Sequence, residues 1–405
     1  MDAPDTTTTK FPWAGLLVLS ALIFTTVTSE FLPTGLLPDM ARDFKVSESQ
    51  VGLLVSVFAG TVVLSAAPLA VLTRRYSRKW LLIVVLVVFA IANVLAAVAV
   101  NYPMLVGARI LGGLVHGLFW AVVGAYAAHL VPKHQLSRAI AITGGGGTAA
   151  FVLGVPVGTA LGHETGWRTA FVIIAAIVLV LTLLAVKVLP AVSHGVTLRT
   201  GEIPLPLRKD RTVPAVILVG VIVIVVAFGH NLFYTYIAPF LIGPVGIEPG
   251  AVAGLLFVYG GAGAIGLVLA GTLGDRFPQR ALAGAVFFVA LAVLGLALFS
   301  DVPWLVIVLL TVWGISFGAL PSMLQARMMH TASLRVRDAA AAYFTTSFNI
   351  AIAAGALVGG IVLDASGILA LAWVDLVITI LGLMLVIVGG FWLKRRTAAR
   401  SSRAS

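Results

Sequence analysis

GLLFVYGGAGAIGLVLAGTLGDRFPQR, residues 254–280, is an apolar run that ends in a short charged turn. It carries no charge before Asp275, and an apolar helix of about 20 residues is what crosses a hydrocarbon core about 30 Å thick. Asp275, Arg276 and Arg280 then arrive together. An earlier run has the same construction: GLLVSVFAG at 52–60 opens it as GLLFVYGGA at 254–262 opens this one, and AVLTRRYSRK at 70–79 closes it as GTLGDRFPQR does at 271–280. About 200 residues separate the members of each pair, so the chain reads as a membrane-spanning unit used twice.

The composition agrees. Of 405 residues, 60% are hydrophobic and 10% charged, against about 25% charged in a soluble domain, and the mean hydropathy is +1.11. Apolar runs recur at about 13–37, 49–72, 80–100, 103–128, 136–161, 167–189, 213–241, 250–273, 281–299, 302–326, 338–363 and 368–393. The expected fold class is an all-α membrane protein of twelve transmembrane helices. The first run is too long for the apolar core of a signal peptide, so it is read as a retained span.

Lys and Arg collect in alternate loops. Arg74, Arg75, Arg78 and Lys79 follow the second span, Lys133 and Arg138 the fourth, and Arg199, Arg208, Lys209 and Arg211 the sixth. Arg276 and Arg280 follow the eighth, Arg327, Arg335 and Arg337 the tenth, and Lys394, Arg395, Arg396, Arg400 and Arg403 the twelfth. The other loops hold little beyond Arg42, Lys45 and Arg168. Positive loops stay in the cytoplasm, so both termini are expected there, in a multi-pass protein of the cell (plasma or inner) membrane. The net charge of +11 then reflects topology, and nucleic-acid binding is not expected because no basic stripe with interleaved aromatics exists outside the loops. With no Cys, disulfides, thiolate metal sites and cysteine nucleophiles are excluded.

The Pro-, Gly- and charge-rich segment 190–212 divides the spans into a half at 1–189 and a half at 213–405 with a basic tail. Two related six-span halves point to a transporter that works by alternating access, with its site between them near the midplane.

GTLGDRFPQR resembles the loop signature of the major facilitator superfamily, G-x-L-x-D-R-x-G-R-R, with Pro278 where a Gly is usual. The first copy has Ala70 in place of the Gly and Arg74 in place of the acid, and keeps its closing Arg78 and Lys79. ARILGGLVHGLFWA resembles the family's R-x-x-x-G motif through Arg109 and Gly113. GVPVG is similar to the Gly-Pro signature of antiporters through Gly154, Pro156 and Gly158. With TSEFLPTGLLPDMARDF, GHNLFYTYIAPFL and GWRTAF, the whole chain resembles the arabinose- and sugar-efflux branch of the drug:proton antiporters. The resemblance implies the major facilitator fold, two pseudo-symmetric six-helix halves, and export of small organic molecules such as sugars or drugs in exchange for protons. Asp275, Arg276, Arg280 and Arg78 would form a conformational latch, with Asp275 accepting bonds from a neighbouring helix N-terminus or an Arg in one state only.

Glu30 is the costly residue. It lies in TSEFLPTGLL, 28–37, and an ionised acid in mid-membrane costs about 2.5–3.5 kcal/mol on insertion scales, which marks it as functional unless a permanent cation pairs with it. Thr26, Glu30, Pro33 and Thr34 share a helical face that would turn toward a polar cavity. A buried carboxyl that gains and loses a proton could couple proton entry to substrate exit, and Arg109 is the expected cation beside it. Arg109, Gly113, His116 and Trp120 share a face of the fourth helix. His230, Asn231 and Tyr234 bring polar tips from the seventh span, and Asn349 is a further substrate-binding candidate. Asp364 and Asp375 are placed near the outer surface or in an outer vestibule, with Asp375 the alternative proton carrier.

Two enzyme-like matches fail on context. GAGAIG at 261–266 has no preceding strand, and GISFG at 314–318 has no strand-to-helix turn; both read as small residues for helix packing. No phosphate-binding loop is present to power a pump. The expected partners are a small-molecule substrate, protons and the bilayer, with no cofactor, no metal and no obligate protein partner, in a chain that acts as a monomer. A symporter or facilitator for uptake is the alternative among transporters; a membrane-embedded enzyme or a sensor without flux is the alternative outside them.

Overall fold

The structure, a computed structural model, describes residues 11–73, 75–132, 135–190, 210–333 and 335–401. Arg74, Lys133, Arg403 and the segment 191–209, with Arg199, Arg208 and Lys209, lie outside the described residues. Among the described residues there is no strand, and twelve spans are long and apolar enough to cross a membrane. The first four are α1 (Trp13–Phe44), α2 (Glu48–Leu72), α3 (Arg78–Ala97) and α4 (Tyr102–Leu130). The fifth joins α5 (Leu136–Ala149), a π-helical turn (Ala150–Gly154) and α6 (Val155–Thr165), and the sixth is α7 (Trp167–Val188). The seventh is α8 (Val213–Tyr234) with the short α9 (Ile237–Ile242). Then come α10 (Val252–Arg276), α11 (Pro278–Leu298), α12 (Pro303–Thr331), α13 (Arg337–Ser366) and α14 (Ile368–Ser401).

Proline explains where these helices depart from a straight reading of the sequence. Pro156 has no N–H and its ring would strike the carbonyl four residues back, so the fifth span widens into the π turn just before it. Pro239 acts the same way on Thr235, where the seventh span breaks between α8 and α9. The first span, expected to end at 37, continues to Phe44 with Pro33 and Pro38 inside it; a membrane helix tolerates this when neighbouring groups satisfy the freed carbonyls. Ser47 starts α2 with a reciprocal capping box to Gln50, and Asn101 starts α4 by accepting from the Met104 N–H.

Lipid does not drive helices together, so close approach at small residues must hold them. A Cβ on Gly113 or Gly117 of α4 would press on the carbonyls of Phe58 and Val62 in α2. The same offset in sequence takes these four to Gly314, Gly318, Tyr259 and Gly263, and there α12 meets the carbonyls of α10 in the same way. It also takes Gly154 and Gly158, set against Thr28 and Leu32 of α1, to Gly355 and Gly359, set against the Phe228 and Leu232 carbonyls of α8. The GAGAIG and GISFG stretches are thus one α10–α12 contact. The basic turns repeat as well: Lys79 Nζ donates to the Val186 carbonyl at 2.7 Å, and Gln279 Nε2 donates to the Val386 carbonyl at 2.8 Å. The two sets of six helices are pseudo-symmetric down to individual contacts.

Between the two sets, α2 packs on α13, α10 on the π turn and α6, and α1 on α9. At the end opposite the basic turns Ser49 Oγ donates to Asp364 Oδ2 at 2.7 Å, joining α2 to α13. Tyr236 donates from Oη to the Ala356 carbonyl at 2.8 Å and fills the space beside Gly52 and Gly360.

Candidate proton and substrate site

Five residues with Asp, Glu, Lys, Arg or His side chains are buried among the described residues: Glu30, Arg109, His116, His230 and Asp375. Three of them meet in the first six spans. Pro33 has no N–H, so the Ser29 carbonyl lacks its usual helical donor. Arg109 supplies one, donating Nη1 to Ser29 O at 3.0 Å and Nη2 to Glu30 O at 2.8 Å, with its guanidinium 4.2 Å from the Phe58 ring centre. Ser29 in turn donates Oγ to Asn93 Oδ1 at 2.6 Å. A cavity of about 10 Å³ lies among Ser29, Phe58, Asn93 and Arg109, room for about one water.

The Glu30 carboxylate does not take the partner expected for it. Its Oε2 lies 3.4 Å from Nε2 of His116, while the guanidinium of Arg109 is held by the backbone of α1. Arg109 therefore contributes a fixed charge beside Glu30 and a clamp on the helix that carries it. His116 sits among the rings of Phe58, Phe89, Phe119 and Trp120, and Trp120 Nε1 donates to His116 Nε2 at 2.8 Å. An indole N–H can only donate, so this bond requires the lone pair of Nε2. A proton on Nε2 would break it and point instead at Glu30. One proton thus chooses between a Trp120–His116 bond and a His116–Glu30 bond.

The last six spans hold a second cluster. His230 stacks on Phe317 with ring centres 3.3 Å apart and lies 5.0 Å from Tyr234, 5.2 Å from Trp313 and 6.3 Å from Tyr259. Buried Nδ1 of His230, Oη of Tyr259 and Nε1 of Trp313 have no hydrogen-bond partner. Asp375, expected near the outer surface or in an outer vestibule, is instead fully buried, because α14 lies against α8 where Gly229 leaves room for its carboxylate. Asp364, by contrast, is exposed and bonded to Ser49.

Several sequence candidates turn toward their own helices. Thr26 Oγ1 donates to Ile23 O, Asn231 Nδ2 to Ala227 O and Asn349 Nδ2 to Thr345 O. Thr34 is fully buried next to Gly35, which abuts Thr159. Gly154 and Gly158 pack on α1, and Pro156 opens α6 beyond the π turn. Asp275, Arg276 and Arg280 are exposed at the basic end of α10 and the start of α11, and Arg78 opens α3. Asn93 escaped the sequence reading, although a lone Asn in an apolar span is the same kind of signal as Glu30.

The Major Facilitator Superfamily model matches residues 19–346 and again 219–405. The chain belongs to the major facilitator superfamily. Relatives in Helicobacter pylori named "Probable sugar efflux transporter" are similar throughout, one 30% identical over 385 residues with 95% of each chain covered and another 31% identical over 376 residues with 93% of each covered. The fold matches that of a bacterial homologue of the human lysosomal transporter Spinster, with a TM-score of 0.77 at 16% identity, covering 96% of this chain and 98% of that one. It also matches the nucleoside transporter NupG, with a TM-score of 0.75 at 15% identity, covering 93% and 98%. The superfamily is one of solute transporters rather than enzymes, which settles the class of function.

Proposed function

We propose that this transporter exports small sugar-like molecules in exchange for protons, with Glu30 the group that loads and releases the proton. The observation that carries the reading is the buried Glu30–His116 contact at 3.4 Å. It is a carboxylate and an imidazole shielded from lipid, beside the fixed charge of Arg109, with Trp120 competing for the same ring nitrogen. Such a pair changes its bonding when a proton arrives, which is what coupling requires. The names of the relatives support sugars as the substrate class.

In this reading the halves are 1–189 and 213–405, joined by 190–212, and they move against each other as units. The basic turns face the cytoplasm of a cell whose plasma or inner membrane holds the protein as a monomer, with both termini inside. Substrate binds between the halves, reached from α1 and α4 on one side and from α8 and α13, with His230, Tyr234 and Asn349, on the other. Glu30→Gln keeps size and hydrogen bonding but cannot release a proton.

Proteoliposomes loaded with a panel of radiolabelled pentoses and hexoses, under an imposed pH gradient, test the proposal. Wild type should move at least one sugar uphill against the proton flow, and Glu30→Gln should not. Uphill transport by well-folded Glu30→Gln would remove Glu30 from coupling. Movement of sugar in the direction of the protons would replace exchange by symport.

A further inference from the structure

Among the described residues the five buried Asp, Glu, Arg and His side chains divide unevenly: Glu30, Arg109 and His116 in the first six spans, His230 and Asp375 in the last six. Each set has one acid, one histidine and a tryptophan on the histidine, since Trp120 bonds His116 and Trp313 crosses His230 edge-on. The pseudo-symmetry places them at matching levels. The offset that relates the glycine contacts takes Thr28 to Gly229 and His116 to Phe317, the ring stacked on His230. In the first set the acid stands on the first helix itself, at Glu30. In the second set it comes from α14 and lies over Gly229, two residues before Asn231, the position that matches Glu30.

We propose that Asp375 is a second proton-binding site of the transporter, distinct from Glu30. The inference rests on the reading of the chain as proton-coupled. Asp375 Oδ1 accepts from Thr379 Oγ1 at 2.9 Å, and buried Oδ2 has no partner. Among the described residues no Lys, Arg or His forms an ion pair with it. On α8 the titratable groups are His230 and Tyr234. On α11 the charge is Arg280 at its basic end, on α13 the charges lie at its two ends, and α9 carries none. Arg109 has no counterpart here, so a negative Asp375 would be an uncompensated charge in mid-membrane, whereas a proton on Oδ2 makes the group neutral. Tyr259 lies within electrostatic reach of Asp375 and stacks toward His230. Its neighbour Gly260 abuts the Phe151 carbonyl of the π turn, so the Tyr259 and His230 rings lie beside the contact between the two sets of helices. The chemistry is a simple exchange in which hydronium gives its proton to the carboxylate and leaves as water.

The test needs no substrate, because the probe is the proton. Purified protein reconstituted in lipid is titrated across about pH 4 to 10 while infrared difference spectra record the carbonyl stretch of protonated, buried carboxyl groups. Wild type should show two such bands, each shifting slightly in deuterium oxide. Glu30→Gln should remove one and leave the other, and Asp375→Asn should do the reverse. Thr379→Val, which deletes the donor to Oδ1, should shift only the band that Asp375→Asn removes, and it decides the matter should Asp375→Asn not fold. If the band left in Glu30→Gln survives Asp375→Asn, or if no band is left, the second site does not exist. If instead the Asp375 band titrates and the Glu30 band does not, the site stands and the assignment of coupling to Glu30 falls.

Discussion

Arg109 on α4 donates to the carbonyl of Ser29 on α1, a carbonyl that Pro33 leaves without its helical donor. The freed carbonyl and its clamp lie one residue from the acid proposed to carry the proton. Losing Arg109 therefore does two separable things: it strands a buried carbonyl and it removes a charge.

The first of these can be measured alone. Arg109→Ala should destabilise the folded protein by about 1–3 kcal/mol, the cost of an unpaired buried group. Pro33→Ala returns an N–H to the position that serves Ser29 O, so Arg109→Ala should cost about 1 kcal/mol less in the Pro33→Ala background than in wild type. Unfolding in detergent, with the four proteins compared as a double-mutant cycle, reads this coupling. Additive costs would mean the clamp on Ser29 contributes nothing.

Trp120→Phe removes the donor that occupies the Nε2 lone pair of His116. A proton arriving at the His116–Glu30 pair then displaces no existing bond. A neutral hydrogen bond is worth about 0.5–1.5 kcal/mol net, and one pH unit is worth about 1.4 kcal/mol. The pH profile of transport should therefore move upward by about half to one unit, with maximal turnover little changed. A profile that stays in place would show that the indole does not compete for the proton.

Much of this site is legible in the sequence, and what is not has physical reasons. Glu30 and Arg109 declare themselves because charge inside an apolar run is costly wherever the helix lies. Their partners are different: whether Arg109 meets the Glu30 carboxylate or the carbonyls beneath it depends on the register of α4 against α1, which only the packed structure gives. The expected outer position of Asp375 fails because only the packing of α14 on Gly229 shows that it is buried. The repeat, by contrast, lies open in the sequence, since GLLVSVFAG and GLLFVYGGA open matching spans and AVLTRRYSRK and GTLGDRFPQR close them.

Asp275 is exposed at the end of α10, where its negative charge opposes the dipole of its own helix and suits the N-terminus of another. It has no hydrogen bond or ion pair among the described residues in this state. Asp275→Asn should therefore leave thermal stability within about 0.5 kcal/mol, as surface changes do, and yet slow transport several-fold, because the partner it awaits belongs to another state of the cycle. Equilibrium substrate affinity should stay within a few-fold. Unchanged turnover would remove Asp275 from the latch.

Asp210, outside the membrane, accepts from the Thr212 hydroxyl at 2.6 Å, the Thr212 N–H at 2.7 Å and the Ser333 hydroxyl at 2.7 Å. These bonds, the Thr212 hydroxyl first, hold its carboxyl below the usual aspartate range. A lowered folded-state value stabilises above the unfolded value, near 3.9, and the gain disappears as pH falls through the folded one. The difference in Tm between wild type and Asp210→Ala should be full at neutral pH, shrink as the solution becomes acid and vanish at the lowest pH the protein survives. A constant difference would mean the carboxylate charge is not what holds the segment before α8 to the one after α12.

The contact at the end opposite the basic turns makes the strongest claim on motion. Tyr236 occupies the space that a side chain on Gly52 of α2 or Gly360 of α13 would need, and Ser49 bonds Asp364 beside it. Gly52→Val cannot keep Tyr236 where it is. Overpacking costs about 1–3 kcal/mol, and where separating the helices relieves that cost, each 1.4 kcal/mol moves the balance of closed and open states about tenfold. The natural chain has no Cys, so a single reporter at Val55→Cys, buried close to the seal, labels cleanly. A membrane-impermeant thiol reagent should reach it about tenfold or more faster in Gly52→Val than in the parent. Tyr236→Phe, which gives up the bond to Ala356 but keeps the ring, should give a smaller acceleration. Equal labelling in all three would place the seal elsewhere and leave Tyr236 as ordinary packing.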